Sequence, residues 1–240
     1  MTEDGWRGTT EIESSPAPNI STSRRLGREV ILAEAVRFID EYGRERLTMR
    51  RLGAELGVEA MALYRYVPGR EQLLDGVVEN VMNELYLATM STDPPSSWQE
   101  YLERMAHGVR TLALAHPRIF PLVATRPPAA PWLRPPLRSL RWVEGFLEGL
   151  GRHGFTTHQS VAVYRAFSTF LLGHLLLETG TLAETELGNG EDDIEFYETN
   201  DLNAYPRLLQ LSDQLAEDAY DDEFEDALED LINRVETMRI

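Results

Sequence analysis

Apolar residues recur every three to four positions along most of this chain, and no segment shows the alternation of a half-buried β-strand. This spacing predicts an all-α fold, because each helix must turn one apolar stripe toward a common core. Glycine, proline and acidic stretches divide the pattern into separate elements. The predicted helices cover residues 26–42, 49–56, 59–66, 70–90, 98–115, 136–152, 157–179, 205–219 and 222–238.

Three segments are expected to lie outside the helices. Residues 1–23 are rich in Ser, Thr, Pro and acids without periodicity, which predicts a disordered N-terminal arm. Proline-rich 126–136 and acidic 184–201 are predicted loops. With 240 residues the chain has room for two modules, and we place them at 24–72 and 73–240.

Composition argues against several classes of protein. The absence of cysteine excludes disulfides, thiolate metal sites and cysteine nucleophiles. The five histidines show no metal-binding spacing, and there is no nucleophile elbow, phosphate loop or dinucleotide-binding turn, so an enzyme is not expected. No run of 18 apolar residues and no signal peptide is present, which favours a cytoplasmic protein without a membrane span.

Charge is distributed unevenly along the chain. Ten arginines and seven acids between Ile20 and Arg70 give this segment a net charge of +3, whereas the whole chain carries −17. The other 189 residues therefore carry −20. A locally basic module on a strongly acidic body indicates a nucleic-acid-binding module.

The basic module contains the constellation of a helix-turn-helix in "LTMRRLGAELGVEAMALYRYVPGREQLL", residues 47–74. Such a pair needs a small residue where its helices touch, which Gly53 supplies, and a turn residue, which Gly57 supplies. The apolar residues that would clamp the pair are Leu52, Leu56, Val58 and Leu63. An ordinary helical hairpin would show the same glycines and apolar residues. Six further residues with no predicted core role favour DNA recognition: Met49, Arg50, Ala60, Met61, Ala62 and Arg65.

With its flanks, this stretch resembles the DNA-binding domain of the TetR family of transcriptional repressors over residues 26–82. Gly53 stands where that family usually has alanine. The body resembles C-terminal domains of the tetracycline-repressor type in "VATRPP", in the Gly-Phe start of the long helix and in "FEDALEDLINRVE". The resemblance implies an Ω-shaped homodimer that reads a palindromic double-stranded operator and releases it when a small-molecule effector binds.

The resemblance also implies roles for the exposed residues. Four are expected to contact backbone phosphates: Thr48, Tyr64, Tyr66 and Arg70. Arg50 is the best candidate for reading a base, because its guanidinium group can donate two hydrogen bonds to O6 and N7 of guanine. Ala60, Met61 and Ala62 would contact thymine methyl groups, and Met49 and Arg65 complete the predicted surface. Arg24, Arg25 and Arg28 are equally compatible with DNA contact and with simple solvation.

By the same resemblance, the body is expected to form the dimer and the effector pocket. The predicted interface consists of Tyr164, Phe167, Leu171, Leu175, Phe224, Leu228, Leu231 and Val235. The predicted pocket consists of His107, His116, Trp132, Trp142, Phe146, Phe170, His174 and Glu178. In the tetracycline-binding group a histidine shortly before Thr-Arg-Pro holds the drug-bound magnesium. Leu122 stands there, which argues against a magnesium–tetracycline ligand and predicts no metal or cofactor.

Two alternatives remain open at this point. The chain would act as an activator of the same family if its operator lay where binding helps transcription. A helical small-molecule sensor or interaction protein without DNA binding would also show the body's pattern, although the intact Thr48, Tyr64, Tyr66 and Arg70 argue against it.

Overall fold

The computed structural model describes residues 26–90, 94–127, 130–133, 135, 139–187 and 204–239. Within these ranges the chain forms ten α-helices and a 3₁₀ turn, with no strand. They are α1 Arg28–Tyr42, the 3₁₀ turn Arg44–Arg46, α2 Met49–Glu55, α3 Ala60–Leu63, α4 Arg70–Met90, α5 Trp98–Ala115, α6 Phe120–Thr125, α7 Leu140–Arg152, α8 Thr157–Leu187, α9 Pro206–Leu215 and α10 Tyr220–Arg239.

The predicted all-α class is confirmed, and two short elements were not predicted. Helix α6 has six residues with proline in its first turn, and the 3₁₀ turn has three, so neither is long enough to show a period. The predicted N-terminal arm lies outside the described residues. The predicted domain boundary at residue 72 falls inside α4, which packs on α1 as well as on α5 and α7, and it stays a prediction.

The N-terminal module is a small three-helix unit seated on the start of α4. The inward stripe of α1, with Ile31, Ala35 and Ile39 fully buried, faces the other helices of the module. Leu52 of α2 and Leu63 of α3 are also fully buried, as the predicted clamp requires. Burial of side chains of this size contributes about 1.5–3 kcal/mol each, so the module is anchored by its core and its polar surface is free for another role.

The body is organised around α8, which packs against α5, α6, α7 and α10. Its segment Thr157–Thr181 is long and apolar enough to cross a membrane by length and composition alone. Phe167 from this segment lies in the core against Phe146, with ring centroids 4.9 Å apart. The segment thus serves as a central core helix of the body.

Burial corrects the predicted dimer interface. All eight side chains assigned to it are buried within the single chain: Tyr164, Phe167, Leu171, Leu175, Phe224, Leu228, Leu231 and Val235. They line the faces through which α8 and α10 contact their own neighbours, so they are inaccessible to a second subunit. The assignment is wrong because the strongest apolar stripe of each helix fills its own core, and any interface must use other faces.

Candidate DNA-binding surface and effector cavity

The angle between α2 and α3 is set by local hydrogen bonds and by two glycines. Thr48 caps α2, because its side-chain oxygen accepts a hydrogen bond from the Arg51 amide at 3.2 Å. Gly57 turns the chain with φ of +67°, a conformation that side chains disfavour. Gly53 allows close approach, since a Cβ there would lie 2.8 Å from the Val58 carbonyl oxygen. Gly57 therefore provides the predicted turn, and Gly53 provides the predicted close contact between the helices.

One face of this unit presents side chains with no packing role. Met61 is 74% exposed at the tip of α3, although it is a large apolar residue. Tyr64 and Tyr66 project from the end of the same helix and are exposed. Arg50 and Arg65 are exposed and make no hydrogen bond or ion pair with any described residue. Unpaired guanidinium groups beside exposed aromatic and apolar side chains have the chemistry needed for DNA phosphates and base edges.

Four other residues of the predicted surface are buried, partly buried or held by structural hydrogen bonds. Met49 is only 7% exposed and belongs to the hydrophobic core, so its predicted place on the outward face is wrong. Arg70 donates from Nε to the Leu47 carbonyl at 3.0 Å and from Nη2 to the Arg44 carbonyl at 2.8 Å. Arg70 thus holds the 3₁₀ turn against α4, and its phosphate contact stays a prediction. Ala60 and Ala62 are partly buried.

A first latch, made by His116 and Arg118, joins the body to the end of α1. The His116 Nδ1 lies 2.8 Å from Asp40 Oδ2, and Arg118 donates to the main-chain carbonyls of Asp40 and Glu41 at 2.9 and 2.7 Å. A cation at carbonyls that end a helix is favourable, because these groups otherwise lack partners. The hydrogen bond to Asp40 raises the pKa of His116 despite its partial burial. Protonated His116 therefore strengthens this latch.

A second latch, made by Arg126, joins the end of α6 to the start of α4. Its Nε donates to Asp75 Oδ1 at 2.8 Å, and its Nη2 lies 3.0 Å from Glu71 Oε2. The arginine side chain is only 13% exposed. The two latches lie on either side of the six residues of α6. A displacement of α6 would therefore disturb both latches.

The predicted pocket residues do not form one site. Trp142 and Phe146 stack at 5.3 Å in the centre of the body, whereas Phe170 and His174 pack near Phe224. His107 and Glu178 adjoin this second group, because the His107 ring lies 5.7 Å from the Phe224 ring and Glu178 Oε2 lies 3.9 Å from His174 Nε2. His116 belongs to the first latch, His107 is exposed beside Phe224 and Glu225, Trp132 is 79% exposed, and Glu178 lies in an ion pair. The structure thus brings four of the predicted residues together around Phe224 and the other four elsewhere, so the eight do not line one shared pocket.

A small closed cavity lies where α4, α5, α6, α7 and α8 meet. Its volume is about 10 Å³, roughly the space for one water molecule. The wall is formed by Met82, Val109, Phe120, Val123, Trp142, Ser168, Leu171 and Leu172. Of these only Trp142 was predicted. The cavity contacts α6 through Phe120 and Val123, so anything that enlarges it presses on the helix between the two latches.

Glu178 is paired within its own chain. Arg110 donates to both of its carboxylate oxygens, at 2.6 and 3.2 Å, and also contacts Asp221. Its guanidinium carbon lies 4.7 Å from the centre of the Phe224 ring. Among the described residues no group of three acids or histidines is arranged to hold a metal ion. Glu178 thus ties α5 to α8, and its predicted contribution to an effector pocket stays a prediction.

Two family models match the chain. Residues 31–77 match the one described as bacterial regulatory proteins, tetR family. Residues 91–239 match the one described as tetracyclin repressor-like, C-terminal domain, which is more than half of the chain. The first match ends inside α4 and the second begins just after it, so α4 joins the two matched regions.

Individual relatives agree with these matches. The HTH-type transcriptional repressor DrrR1 of Streptomyces coeruleorubidus is 32% identical over 130 residues, 52% of this chain and 44% of its own length. The class C tetracycline repressor of Escherichia coli is 28% identical over 78% of this chain and 79% of its own. A possible TetR family transcriptional regulator from Streptomyces coelicolor superposes with a TM-score of 0.69 and 26% identity, covering 88% of this chain and 99% of that one. This chain belongs to the TetR family of DNA-binding transcriptional regulators.

Proposed function

We propose that this regulator is a homodimeric repressor that reads a palindromic operator and releases it when a small molecule enters the body. The observation that best supports DNA binding is that Arg50 of α2, Met61 of α3 and Arg65 just after α3 are exposed, and that neither arginine bonds to any described residue. A solvated helix face ordinarily carries paired charges. These side chains are available for base edges, while Tyr64 and Tyr66 are placed for phosphates. Binding to chromosomal DNA implies a cytoplasmic location.

A single unit of this size makes too few contacts for tight specific binding, so two copies must read two half-sites. The surface for a second copy is the apolar area that the chain leaves uncovered. Helix α9 buries none of its side chains, although Leu208 and Leu215 lie on it, and Val161 and Leu177 of α8 are also exposed. Apolar area of this extent on two helices is typical of an oligomer interface. We therefore assign the interface to α9 and the outer face of α8.

Release is proposed to act through α6. The cavity is closed in this conformation, so an effector binds only a conformation in which the wall has moved. Movement of Phe120 and Val123 shifts α6, whose flanks carry both latches. The DNA-binding units of the dimer then change their separation and no longer fit successive major grooves. Effector and operator must oppose each other reciprocally.

A gel-shift titration tests the proposal. Operator sequences are first selected from a random library with the purified protein, and binding is then measured at two salt concentrations. We expect a palindromic site, two subunits per site and a steep loss of affinity with salt. Recovery of a single half-site bound by one subunit would contradict the dimeric model, and absence of any enriched sequence would contradict DNA recognition.

A further inference from the structure

One residue of the cavity wall, Trp142, carries a buried polar atom that has no hydrogen-bond partner among the described residues. The Trp142 indole Nε1 is buried, and no described residue accepts a hydrogen bond from it; the whole residue is only 1% exposed. Buried donors in folded proteins are nearly always paired, and an unpaired one costs about 1–3 kcal/mol. The ring itself is held firmly by its stack on Phe146. The donor is thus fixed in place before any ligand arrives.

A second polar group stands on the same wall. The Ser168 Oγ is buried and has no hydrogen-bond partner of normal geometry among the described residues, although it lies near the Tyr164 hydroxyl and acts to lower the pKa of that group. That hydroxyl donates to the Pro135 carbonyl at 3.0 Å, and burial raises the pKa of Tyr164 to about 12. The other six wall residues are apolar and none is charged. The cavity therefore offers one rigid N–H donor and one rotatable hydroxyl in apolar surroundings.

We propose that the effector is an uncharged, mainly apolar molecule with a carbonyl-type oxygen, which accepts a hydrogen bond from Trp142 Nε1 and a second from Ser168. This inference rests on the proposed function and specifies the chemistry of its ligand. A charged ligand is excluded by the cost of burying a charge among apolar side chains. A pure hydrocarbon would leave the indole N–H unsatisfied, so the carbonyl supplies selectivity.

The test uses two probes that differ in one group. Acetophenone and 2-phenylpropene have nearly the same shape, but the first has a carbonyl oxygen where the second has a methylene. Each is titrated into the full-length ¹⁵N-labelled protein without DNA, and the tryptophan indole N–H signals are followed by NMR. The Trp142 signal is identified as the one missing from Trp142→Phe. Trp98→Phe is the matched control, because Trp98 is also buried but packs on Phe155, away from the cavity.

We expect acetophenone to move the Trp142 indole proton downfield and 2-phenylpropene to leave it near its starting position. The ratio of the two affinities should fall about five- to tenfold in Trp142→Phe and stay unchanged in Trp98→Phe. An unchanged ratio in Trp142→Phe, or no binding of either probe, would overturn the proposal. So would an indole signal that is already downfield in the free protein and does not move, which indicates a bound water.

If Trp142→Phe is poorly folded, the Trp142 signal is assigned by elimination from Trp6→Phe, Trp98→Phe and Trp132→Phe, and the wild-type NMR titration still tests the inference. Operator binding is measured separately on the same preparation. If the carbonyl probe shifts the indole while no operator is bound, the ligand site stands and the repressor function fails. If the operator is bound but the two probes give the same result, DNA recognition stands and the proposed carbonyl ligand fails.

Discussion

Replacement of Arg50 by alanine should separate sequence reading from general attraction to DNA. The side chain is exposed and bonds to no described residue, so its removal leaves the fold intact and changes the free energy of unfolding by less than about 0.5 kcal/mol. If its fork reads guanine, each half-site loses about 1–3 kcal/mol of discrimination. A dimer loses the contact twice, about 2–6 kcal/mol in all when the half-sites are independent. Operator affinity should therefore fall at least thirtyfold.

The assay compares the selected operator with random DNA of equal length, by gel shift at one fixed salt concentration. Arg152→Ala is the control, because it removes one exposed arginine from the body at the end of α7. We expect Arg50→Ala to weaken operator binding far more than random binding and Arg152→Ala to change neither by much. Equal losses on both DNAs for Arg50→Ala would remove this residue from the reading surface and leave it only a charge contribution.

Three further substitutions test the supporting geometry. Gly53→Ala should lower the free energy of unfolding by about 1–3 kcal/mol in urea and weaken operator binding, because the added Cβ would press on the Val58 carbonyl. Unchanged operator affinity would show that the angle between α2 and α3 tolerates the added methyl group. His116→Gln should remove a pH dependence of the melting temperature. In the wild type the bond to Asp40 raises the pKa of His116, so its stabilisation is complete below about pH 6.5 and is lost as pH rises through the raised pKa; identical pH profiles would refute this. Arg70→Ala should weaken operator and random DNA alike and flatten the salt slope by about one unit per lost phosphate contact, whereas an unchanged slope would leave Arg70 a purely structural role.

The helix-turn-helix was predictable from sequence because its determinants are local. The turn glycine, the contact glycine and the clamp fall within a dozen residues, so their spacing alone fixes their geometry. Met49, three residues before this stretch, was wrongly predicted to face outward. Its neighbour Arg50 points outward, and one residue along a helix changes the facing direction by about 100°. The predicted DNA-binding surface stays a prediction, and Met49 is the residue of it that the structure places in the core.

The dimer interface could not be found by the same logic. Helix α8 is apolar around much of its circumference, and a core stripe and an interface stripe then look alike in the sequence. Residues such as Phe167 were chosen for their strong periodicity, which is the property of a core position. Leu177, exposed on the same helix, carries no pattern that separates it from the core.

The element that we propose couples the two modules was also the hardest to predict from sequence. Helix α6 is too short for a period, and the partners of its flanks are distant in sequence: His116 and Asp40 are 76 residues apart, and Arg126 and Asp75 are 51 apart. Among many exposed acids, sequence gives no means of pairing these charges. Yet a short helix held at both ends by ion pairs and hydrogen bonds is well suited to a switch, because a displacement at Phe120 reaches both latches without unfolding a long element. The helix-turn-helix can therefore be inferred from a short stretch of sequence, whereas the proposed coupling through α6 depends on contacts between residues far apart in the chain.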